Sequence, residues 1–195
     1  MRRDARTACL VFGLLTLCTG VLYPAVVTGL AALLLPRQAS GSALQVDGVT
    51  VGSALVGQPF AAPAFFHGRP SATAARPYDA LASSGSNFGP NHPALRERVA
   101  ADAARWRAAL GLDAAALLPV DLVTTSASGL DPHLTPAGAR VQVARVAAAR
   151  GADEAAVAAC VEACVEPPAL GLFGQPRVNV LRLNLLLERR VPRTR

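Results

Sequence analysis

The chain has 195 residues, of which 52% are hydrophobic and 16% charged, against roughly 25% charged residues in a typical soluble domain. This length accommodates one domain of ordinary size, with or without an anchor, and excludes two large domains. All 19 basic residues are Arg, which excludes mechanisms that need a Lys, such as a P-loop or a Schiff base.

The formal net charge of +6 comes from the two ends of the chain. Residues 37–188 hold 12 Arg and 12 Asp plus Glu, so the body is formally neutral. A nucleic-acid-binding domain needs basic residues clustered on its body, preferably with exposed aromatics. The composition therefore predicts no nucleic-acid partner.

An uncharged stretch of 30 residues runs from Thr7 to Pro36. About 20 apolar residues span the hydrocarbon core of a bilayer, so we predict a transmembrane helix over residues 8–35 after a short N-terminus, residues 1–7. The alternative is a cleaved signal peptide, but its apolar core has only about 7–15 residues. We expect four residues of the span to pack against partner helices in the lipid: Gly20, Tyr23, Pro24 and Gly29.

Arginines are unevenly distributed about this span. Three Arg precede it, whereas only Arg37 follows it before Arg69. Because positive charge is retained on the cytoplasmic side, we predict a cytoplasmic N-terminus and an extracytoplasmic body over residues 37–195.

The body is predicted to be a single helix-rich α/β domain over residues 61–188. A connector with the first strands precedes it at residues 36–60, with extended segments around Leu44–Val51 and Ala54–Val56. A basic tail follows at residues 189–195.

Periodicity and capping residues predict the first elements of this domain. A helix over Pro93–Leu110 ends at Gly111, and a short strand follows over Pro119–Thr125. A second helix begins at the N-cap Thr135 and ends at Gly151.

A third helix begins at Asp153 and carries Cys160 and Cys164. We interpret these two as buried free thiols, since the helical geometry is poor for a disulfide; pairing in an oxidising compartment is the alternative. The closing segment Val178–Leu187 is ambiguous between helix and strand, and we favour a helix capped by Asn179.

One loop offers the residue types of a hydrolase triad: Ser126, Ser128, Asp131 and His133 lie within eight residues. A triad normally gathers from separate elements, and no G-x-S-x-G elbow surrounds either Ser. We interpret the segment as a turn-rich loop whose polar side chains bond the local backbone. The three His share no metal spacing, so we expect no catalytic residue, no metal and no cofactor of the chain's own.

Seven segments, in chain order, match a known pattern: Thr19–Gly29, Gly52–Gln58, Phe66–Ala72, Ser83–Asn87, Asp121–Thr124, Ser128–His133 and Pro176–Leu181. With these segments the chain resembles the KdpC family, the small subunits of Kdp potassium-transporting P-type ATPases. The resemblance extends from residue 19 to about residue 187.

The resemblance implies a single-pass subunit of the bacterial inner membrane. Its partners would be a potassium-conducting KdpA-like subunit, an ATP-hydrolysing KdpB-like subunit and a small KdpF-like subunit, with ATP and potassium handled by the complex. It further implies a role in assembly and as a catalytic chaperone that raises the ATP affinity of the KdpB-like subunit. Because ATP is cytoplasmic, we favour an allosteric route; nucleotide contact through Gln58 is the alternative. The rival classes are a membrane-anchored extracytoplasmic binding protein or hydrolase.

Three polar loops are predicted to dock a partner. Their turn formers and scattered hydroxyls suit hydrogen-bonded contact, and no pair forms a nucleophile and a base. The alternative is that the loops pack on one another to stabilise the domain. The predicted docking residues are Arg69, Pro70, Ser71, Ser84, Gly85, Ser86, Asn87, Ser128, Gly129, Asp131 and His133, with Arg69 at the centre because a guanidinium bridges several acceptors.

Overall fold

The computed structural model describes residues 2–193. The chain divides between Ser53 and Ala54 into two compact units, within the predicted connector.

The N-terminal unit begins with a long apolar helical stretch. It consists of α1 (Arg2–Leu17), one π-helical turn (Cys18–Leu22) and α2 (Tyr23–Leu34). Pro24 has no N–H for the carbonyl of Gly20, and the helix widens just before it, where the Tyr23 N–H bonds Cys18 O. The chain therefore accommodates Pro24 with a π-helical turn.

This stretch, Arg2–Leu34, is 33 residues long and apolar enough to cross a membrane, and it is the one such helix among the described residues. None of its residues is buried. Phe12 is 74% exposed and Leu33 is 76% exposed, so the unit itself does not cover the apolar surface. The prediction of a single helix long enough to span is confirmed.

A short helix and a hairpin complete the N-terminal unit. After α3 (Pro36–Ala39), strand β1 (Ala43–Val46) pairs antiparallel with β2 (Val49–Ser53). The turn residues Asp47 and Gly48 have φ values of +50° and +79°, the left-handed conformation that two-residue hairpin turns require.

One sequence expectation is confirmed and one is wrong here. Extended structure is present around Leu44–Val51, and it forms two strands because Asp47-Gly48 reverses the chain between them. Ala54–Val56 is a turn, not a strand. The carbonyl of Ala54 is buried there and accepts a hydrogen bond from Asn179 Nδ2 at 2.8 Å, so it pairs with a side chain where a strand would pair with backbone.

The second unit is a mixed domain in which helix exceeds strand, as predicted. Its strands β3 (His133–Leu134), β5 (Arg177–Asn179) and β4 (Val165–Glu166) form a small antiparallel sheet in that order. The elements in chain order are α4 (Pro93–Leu110), β3 (His133–Leu134), α5 (Pro136–Arg140), α6 (Val143–Arg150), α7 (Glu154–Ala163), β4 (Val165–Glu166), β5 (Arg177–Asn179) and α8 (Val180–Arg190).

Helix α4 has the predicted bounds. Pro93 occupies its first turn, and the His92 ring accepts the Ala94 N–H at 3.2 Å. Gly111 ends it with a φ of +64°, the left-handed conformation that favours Gly after a helix.

The strand predicted over Pro119–Thr125 is wrong. Val120–Leu122 form a 3₁₀ turn, closed by the Leu122 N–H on the carbonyl of Pro119. Val120 is 66% exposed and Leu122 is fully buried, so these two side chains do not share a face as alternate residues of a strand would.

The second predicted helix is broken into α5 and α6, although the predicted cap Thr135 and stop Gly151 are confirmed. A continuous helix would place the Gln142 N–H on the carbonyl of Gly138. The Gln142 side chain occupies that carbonyl at 3.0 Å, and its N–H bonds Ala139 O instead. The carboxamide therefore interrupts the helix.

The expectations for the C-terminal part of the domain are confirmed. Asp153 precedes α7, although its side chain forms no capping hydrogen bond. Cys160 and Cys164 are free thiols, and burial raises the pKa of both. The ambiguous C-terminal segment is a helix, with Asn179 Oδ1 accepting the Arg182 N–H at 3.1 Å.

The predicted basic tail does not begin as a separate segment. Helix α8 continues to Arg190, and residues 194–195 lie outside the described part of the chain.

The helices and the sheet enclose one core, into which Phe66 of the irregular region is fully buried. The main members are Phe66, Trp106, Leu122, Leu134, Val146, Val157, Val161, Val178, Leu183 and Leu187.

Two buried carboxamides hold the main chain beside this core. Asn184 of α8 accepts the Phe66 N–H and donates to the Phe66 carbonyl, both at 2.9 Å. Gln142 accepts the His67 N–H at 2.9 Å and donates to the His67 carbonyl at 3.1 Å. Each side chain pairs with one residue as a neighbouring strand would.

Two arginines of α6 bind the carbonyls just before Phe66. Arg145 donates to Pro63 at 2.7 Å and to Phe65 at 3.0 Å, and Arg150 donates to Ala64 at 2.7 Å. Five successive carbonyls, residues 63–67, thus accept from side chains. We call this segment the clamped loop.

The substitution Asn184→Leu is expected to lower the free energy of unfolding by about 3 kcal/mol, because it leaves a buried N–H and a buried carbonyl of Phe66 unpaired at similar side-chain volume. Urea unfolding of the full chain in detergent, followed by tryptophan fluorescence, measures this. The control is Asn91→Leu at an exposed position. Equal stability of the two variants would contradict the role given to Asn184.

Candidate functional site

The structure brings the three predicted polar loops together. Ser71 Oγ donates to the carbonyl of Gly129 at 2.7 Å, and Ser83 Oγ donates to the carbonyl of Ser128 at 3.0 Å. We call residues 69–71, 83–87 and 128–133 the loop cluster. Its members are far apart in sequence and are held by side chain-to-backbone bonds.

Arg69 lies at the centre of the loop cluster. Its guanidinium donates to Asp131 Oδ2 at 3.0 Å, to the carbonyl of Thr124 at 3.3 Å and to the carbonyl of Thr125 at 3.2 Å. Its side chain retains 24% exposure. The guanidinium thus bridges several acceptors, all of them within the domain.

Asp131 links Arg69 to His133. Its Oδ1 accepts the His133 N–H at 3.0 Å and lies 3.3 Å from His133 Nδ1. Burial alone would raise the pKa of Asp131, but the hydrogen bonds from His133 and Arg69 outweigh it and lower the pKa below its ordinary value. Asp131 is therefore a carboxylate at neutral pH.

Tyr78 also holds the loop cluster together, a role that the sequence does not predict. Its hydroxyl donates to the carbonyl of Arg69 at 2.5 Å, and its N–H donates to Ser71 Oγ at 2.9 Å. Burial, with the nearby Asp131 charge, raises its pKa to about 12. A Cβ at Gly57 would collide with the ring, which explains the Gly there. A lone Tyr among turn formers gives little signal of this role.

The remaining members divide into exposed and supporting residues. Ser84, Asn87 and Ser128 are exposed. Gly129 is buried with a φ of +68°, and a Cβ there would lie 2.6 Å from the carbonyl of Ser84. Gly85 is similarly close to the Ala127 carbonyl. The glycines permit close loop contact. The half-buried Pro70 and Ser86 complete the set.

The cluster does not assemble a hydrolytic site. The Ser128 hydroxyl accepts the Leu130 N–H at 3.1 Å and lies 3.4 Å from Ser126 Oγ, whereas the His133 ring bonds Asp131. A Ser nucleophile needs a base within hydrogen-bond reach. Within residues 2–193, no three His, Cys, Asp or Glu side chains gather as metal ligands.

A cleft of about 820 Å³ borders the cluster. Arg69, Ser71 and Tyr78 of the cluster and its surroundings form part of the cleft wall, as does Gln58. The rest of the wall is Pro59, Phe60, Ala61, Pro63, His67, Gly68, Pro70, Ala72, Pro77, Arg98, Asp102, Arg105, Trp106, Ala109, Thr125 and Arg145. Four arginines and one carboxylate therefore share this wall.

The pKa of His67 reflects the burial and the positive charge at the cleft wall. Its ring lies 5.8 Å from that of Trp106, and it contacts the Ala62 carbonyl at 3.1 Å. Burial lowers the pKa of His67 most, and the charges of Arg145 and Arg105 lower it further despite the opposing bond to Ala62. The imidazole is thus held neutral in a positive environment.

Known proteins of one family resemble the chain over almost its whole length. The sequence profile of KdpC, described as the c chain of the K⁺-transporting ATPase, matches residues 5–189. A relative from Burkholderia vietnamiensis, named potassium-transporting ATPase KdpC subunit, is 51% identical over 188 residues, covering 96% of this chain and 97% of the relative.

Two further relatives carry the same name. That of Caulobacter vibrioides is 52% identical over 193 residues, covering 98% of this chain and 96% of the relative. That of Rhodopseudomonas palustris is 48% identical over 204 residues, covering 99% of this chain and all (100%) of the relative. The resemblance drawn from seven segments is confirmed.

The substitution Asp131→Asn is expected to cost about 1 kcal/mol of stability near neutral pH, a melting temperature lower by a few degrees, because it breaks a half-buried ion pair with Arg69. The pKa of Asp131 is depressed in the folded chain, so the pair stabilises fully above the ordinary value of 3.8 and stops doing so as pH falls through the folded value. The difference from the unaltered chain should therefore shrink as pH falls below 3.8.

Thermal unfolding across that pH range measures the effect. The control is Asp113→Asn, which removes the same charge from an exposed position. A difference that grows toward low pH would contradict the assignment.

Proposed function

The chain belongs to the KdpC family of potassium-transporting ATPase subunits, and on that premise we propose that it acts without chemistry of its own, by docking the subunits that do the chemistry. The arrangement of the loop cluster is the observation that supports this docking role. Its hydroxyls and its one guanidinium bond backbone and carboxylate groups of neighbouring loops, and no Ser and His are paired. The cluster is thus a polar surface held by bonds between its loops, and the Ser128 hydroxyl and the His133 ring bond other groups, not each other.

The proposed partners are those of the family: a KdpA-like potassium-translocating subunit, a KdpB-like ATPase subunit and a small KdpF-like subunit. The apolar side chains of Arg2–Leu34 have no cover within their own unit. Lipid and the helices of these partners would supply it. The proposed location is accordingly the bacterial inner membrane.

The docking surface would consist of the exposed part of the loop cluster. Ser84, Asn87 and Ser128 offer hydroxyl and amide groups to a partner. The Arg69 side chain is 24% exposed, but its guanidinium donates hydrogen bonds to carbonyls inside the domain. We assign it the role of holding the loops in the docking geometry, with Asp131 and His133 behind it.

The subunit would raise the ATP affinity of the KdpB-like subunit through conformation. ATP is cytoplasmic, and the domain is proposed to lie on the other side of the membrane. Linkage requires only that the subunit bind one conformation of its partners more tightly than another. Gln58 lies on the cleft wall, and direct nucleotide contact through it is the alternative route.

Orientation is the first testable part of the proposal. Three Arg precede the span and one follows it closely, which favours a cytoplasmic N-terminus. We expect Ser84→Cys to react with a membrane-impermeant thiol reagent in intact cells. The control is Ala5→Cys, which should react only after lysis, and the unaltered chain gives the background of the native thiols. The reverse pattern would invert the topology.

Docking is tested by the same cysteine in the assembled complex. Co-expression of the partner subunits should slow the labelling of Ser84→Cys at least about tenfold, because a docked partner excludes the reagent. Ala115→Cys, exposed in the loop after α4, should keep its rate. Equal rates at position 84 with and without partners would remove the loop cluster from the interface.

Packing of the span is tested at the glycine in the π-helical turn. A Cβ at Gly20 would meet only Thr16 Cγ2, at 4.0 Å, so the chain itself leaves room for a side chain. Gly20→Leu should therefore insert normally and yet reduce the co-purified partner subunits severalfold, because a bulky side chain blocks close helix approach. The control is Ala32→Leu, and unchanged recovery with Gly20→Leu would make Gly20 lipid-facing. Tyr23, Pro24 and Gly29 are the other residues of the span that we propose to pack against partner helices.

A further inference from the structure

The connection between β4 and β5 exposes three large apolar side chains close together. Residues 167–176 contain no charged side chain, and within them Leu170 is 90% exposed, Leu172 is 83% exposed and Phe173 is 66% exposed. Single exposed apolar residues are ordinary on a protein surface, whereas a group of them marks a site of interaction. We call residues 167–176 the apolar loop.

Charged side chains lie at the base of the apolar loop. Glu166 and Arg177 are paired residues of β4 and β5. The Glu166 carboxylate binds Arg177 at 3.1 Å and Arg182 at 3.0 Å, and all three side chains remain partly exposed. The loop therefore has an apolar end and a charged base with a surplus of positive charge. Segments that enter the surface of a bilayer have this arrangement, because arginines at the edge keep their charge in water.

The main chain of the apolar loop forms hydrogen bonds within the loop. Ala169 and Phe173 exchange two bonds, since the N–H of each donates to the carbonyl of the other at 2.9 Å. The Leu172 N–H also donates to Ala169 O at 3.1 Å, and the Gly171 N–H donates to Pro168 O at 3.0 Å. Hydrocarbon offers no hydrogen-bond partners, so a segment enters it at low cost only when its polar groups are paired internally. These four N–H groups meet that condition.

The backbone at Leu170 is in a conformation that a Leu seldom adopts. Its φ is +54°, in the left-handed region where Gly, Asn and Asp are common and bulky residues are rare. A polar turn former would suit this position better, so turn chemistry does not explain an exposed Leu there. An apolar environment outside the domain does explain it.

The N-terminal unit attaches the domain close to the end of the long apolar helix. This helix ends at Leu34, and the hairpin after it returns to its start, since Ser53 Oγ donates to the carbonyl of Gly41 at 2.7 Å. The second unit begins with the next residue, Ala54. Gly41 lies seven residues after Leu34, at most about 25 Å of extended chain. If the helix crosses the membrane, lipid is therefore an apolar environment beside which the domain is permanently held.

We propose that the apolar loop inserts Leu170, Leu172 and Phe173 into the surface of the bilayer, with Arg177 and Arg182 at the level of the headgroups. Insertion gives the domain a second attachment to the membrane besides the helix. The inference rests on the proposed membrane location. It does not rest on the loop cluster, which consists of other residues.

Quenching of tryptophan fluorescence by brominated lipid measures the insertion. The full chain is reconstituted in nanodiscs of phosphatidylcholine whose acyl chains are either unmodified or brominated near the headgroup. Leu172→Trp adds an exposed indole to a chain whose one native Trp, Trp106, is buried, and the unaltered chain gives the background. The added emission should fall at least about twofold with brominated lipid, because inserted apolar side chains reach about 5–10 Å into the boundary of headgroups and acyl chains.

Two further variants separate the inference from its premise. Leu117→Trp is the matched control at a strongly exposed Leu outside the apolar loop, and its emission should not be quenched. Leu14→Trp lies in the apolar helix and should be quenched if the helix is in the membrane. Quenching at position 14 without quenching at position 172 overturns the insertion alone. No quenching at position 14 overturns the membrane location and the insertion with it, and equal quenching at positions 117 and 172 overturns the choice of this loop.

A charge at position 170 tests whether the apolar side chains hold the loop in lipid. Leu170→Asp, added to Leu172→Trp, suits the positive φ and should reduce the quenching severalfold, because a carboxylate resists transfer out of water. The control is Leu81→Asp in the same background, at a strongly exposed position outside the loop, and it should leave the quenching unchanged. Equal quenching in both double variants would overturn the proposal.

A protein partner in place of lipid gives a different result. The emission of Leu172→Trp would then escape the brominated lipid and shift to shorter wavelength only when the partner subunits are co-reconstituted, after subtraction of the complex with the unaltered chain. That outcome would also overturn the proposal.

Discussion

The pairing of Phe66 and His67 with two carboxamide side chains is the contact on which the second unit depends. A main chain buried beside a core must find partners for its N–H and C=O groups, and irregular segments normally avoid burial for that reason. Here Asn184 of α8 and Gln142, which directly precedes α6, supply four hydrogen bonds. Arg145 and Arg150 extend the same pairing to the three preceding carbonyls. A loop without a strand neighbour can therefore fill the core.

The candidate sites follow from this constraint. Arg69 stands two residues after the last clamped position, so the loop cluster begins from a fixed point. The cleft has the clamped loop as one wall and α4 as another. Arg145 serves both, because it holds the carbonyls of Pro63 and Phe65 and also lines the cleft. One side chain thus stabilises the clamped loop and forms part of the cleft wall.

The sequence predicts what local rules decide. Pro93 and Gly111 bound α4, and Asn179 caps α8, because capping chemistry is read from the residues at hand. It does not reveal contacts made across the chain. In the sequence, Gln142 and Asn184 look like ordinary polar residues of helices. Strands of two or three residues, such as β5, are too short to show the alternating pattern that predicts a strand. The polar loops were recognised as a group, but Tyr78 and the arginines facing the cleft were not, since their roles depend on burial and on distant partners.

The distance along the chain between the clamped loop and its partners has a consequence for biosynthesis. Asn184 lies 118 residues beyond Phe66 and Gln142 lies 75 residues beyond His67. While the ribosome is still adding α8, the loop has no partner for Phe66, and contacts of such long range form slowly. The cleft wall and the base of the loop cluster therefore reach their final form only after nearly all of the chain has been made. Until then Phe66 lacks its partner, so the order of synthesis makes the folding of this unit depend on its last helix.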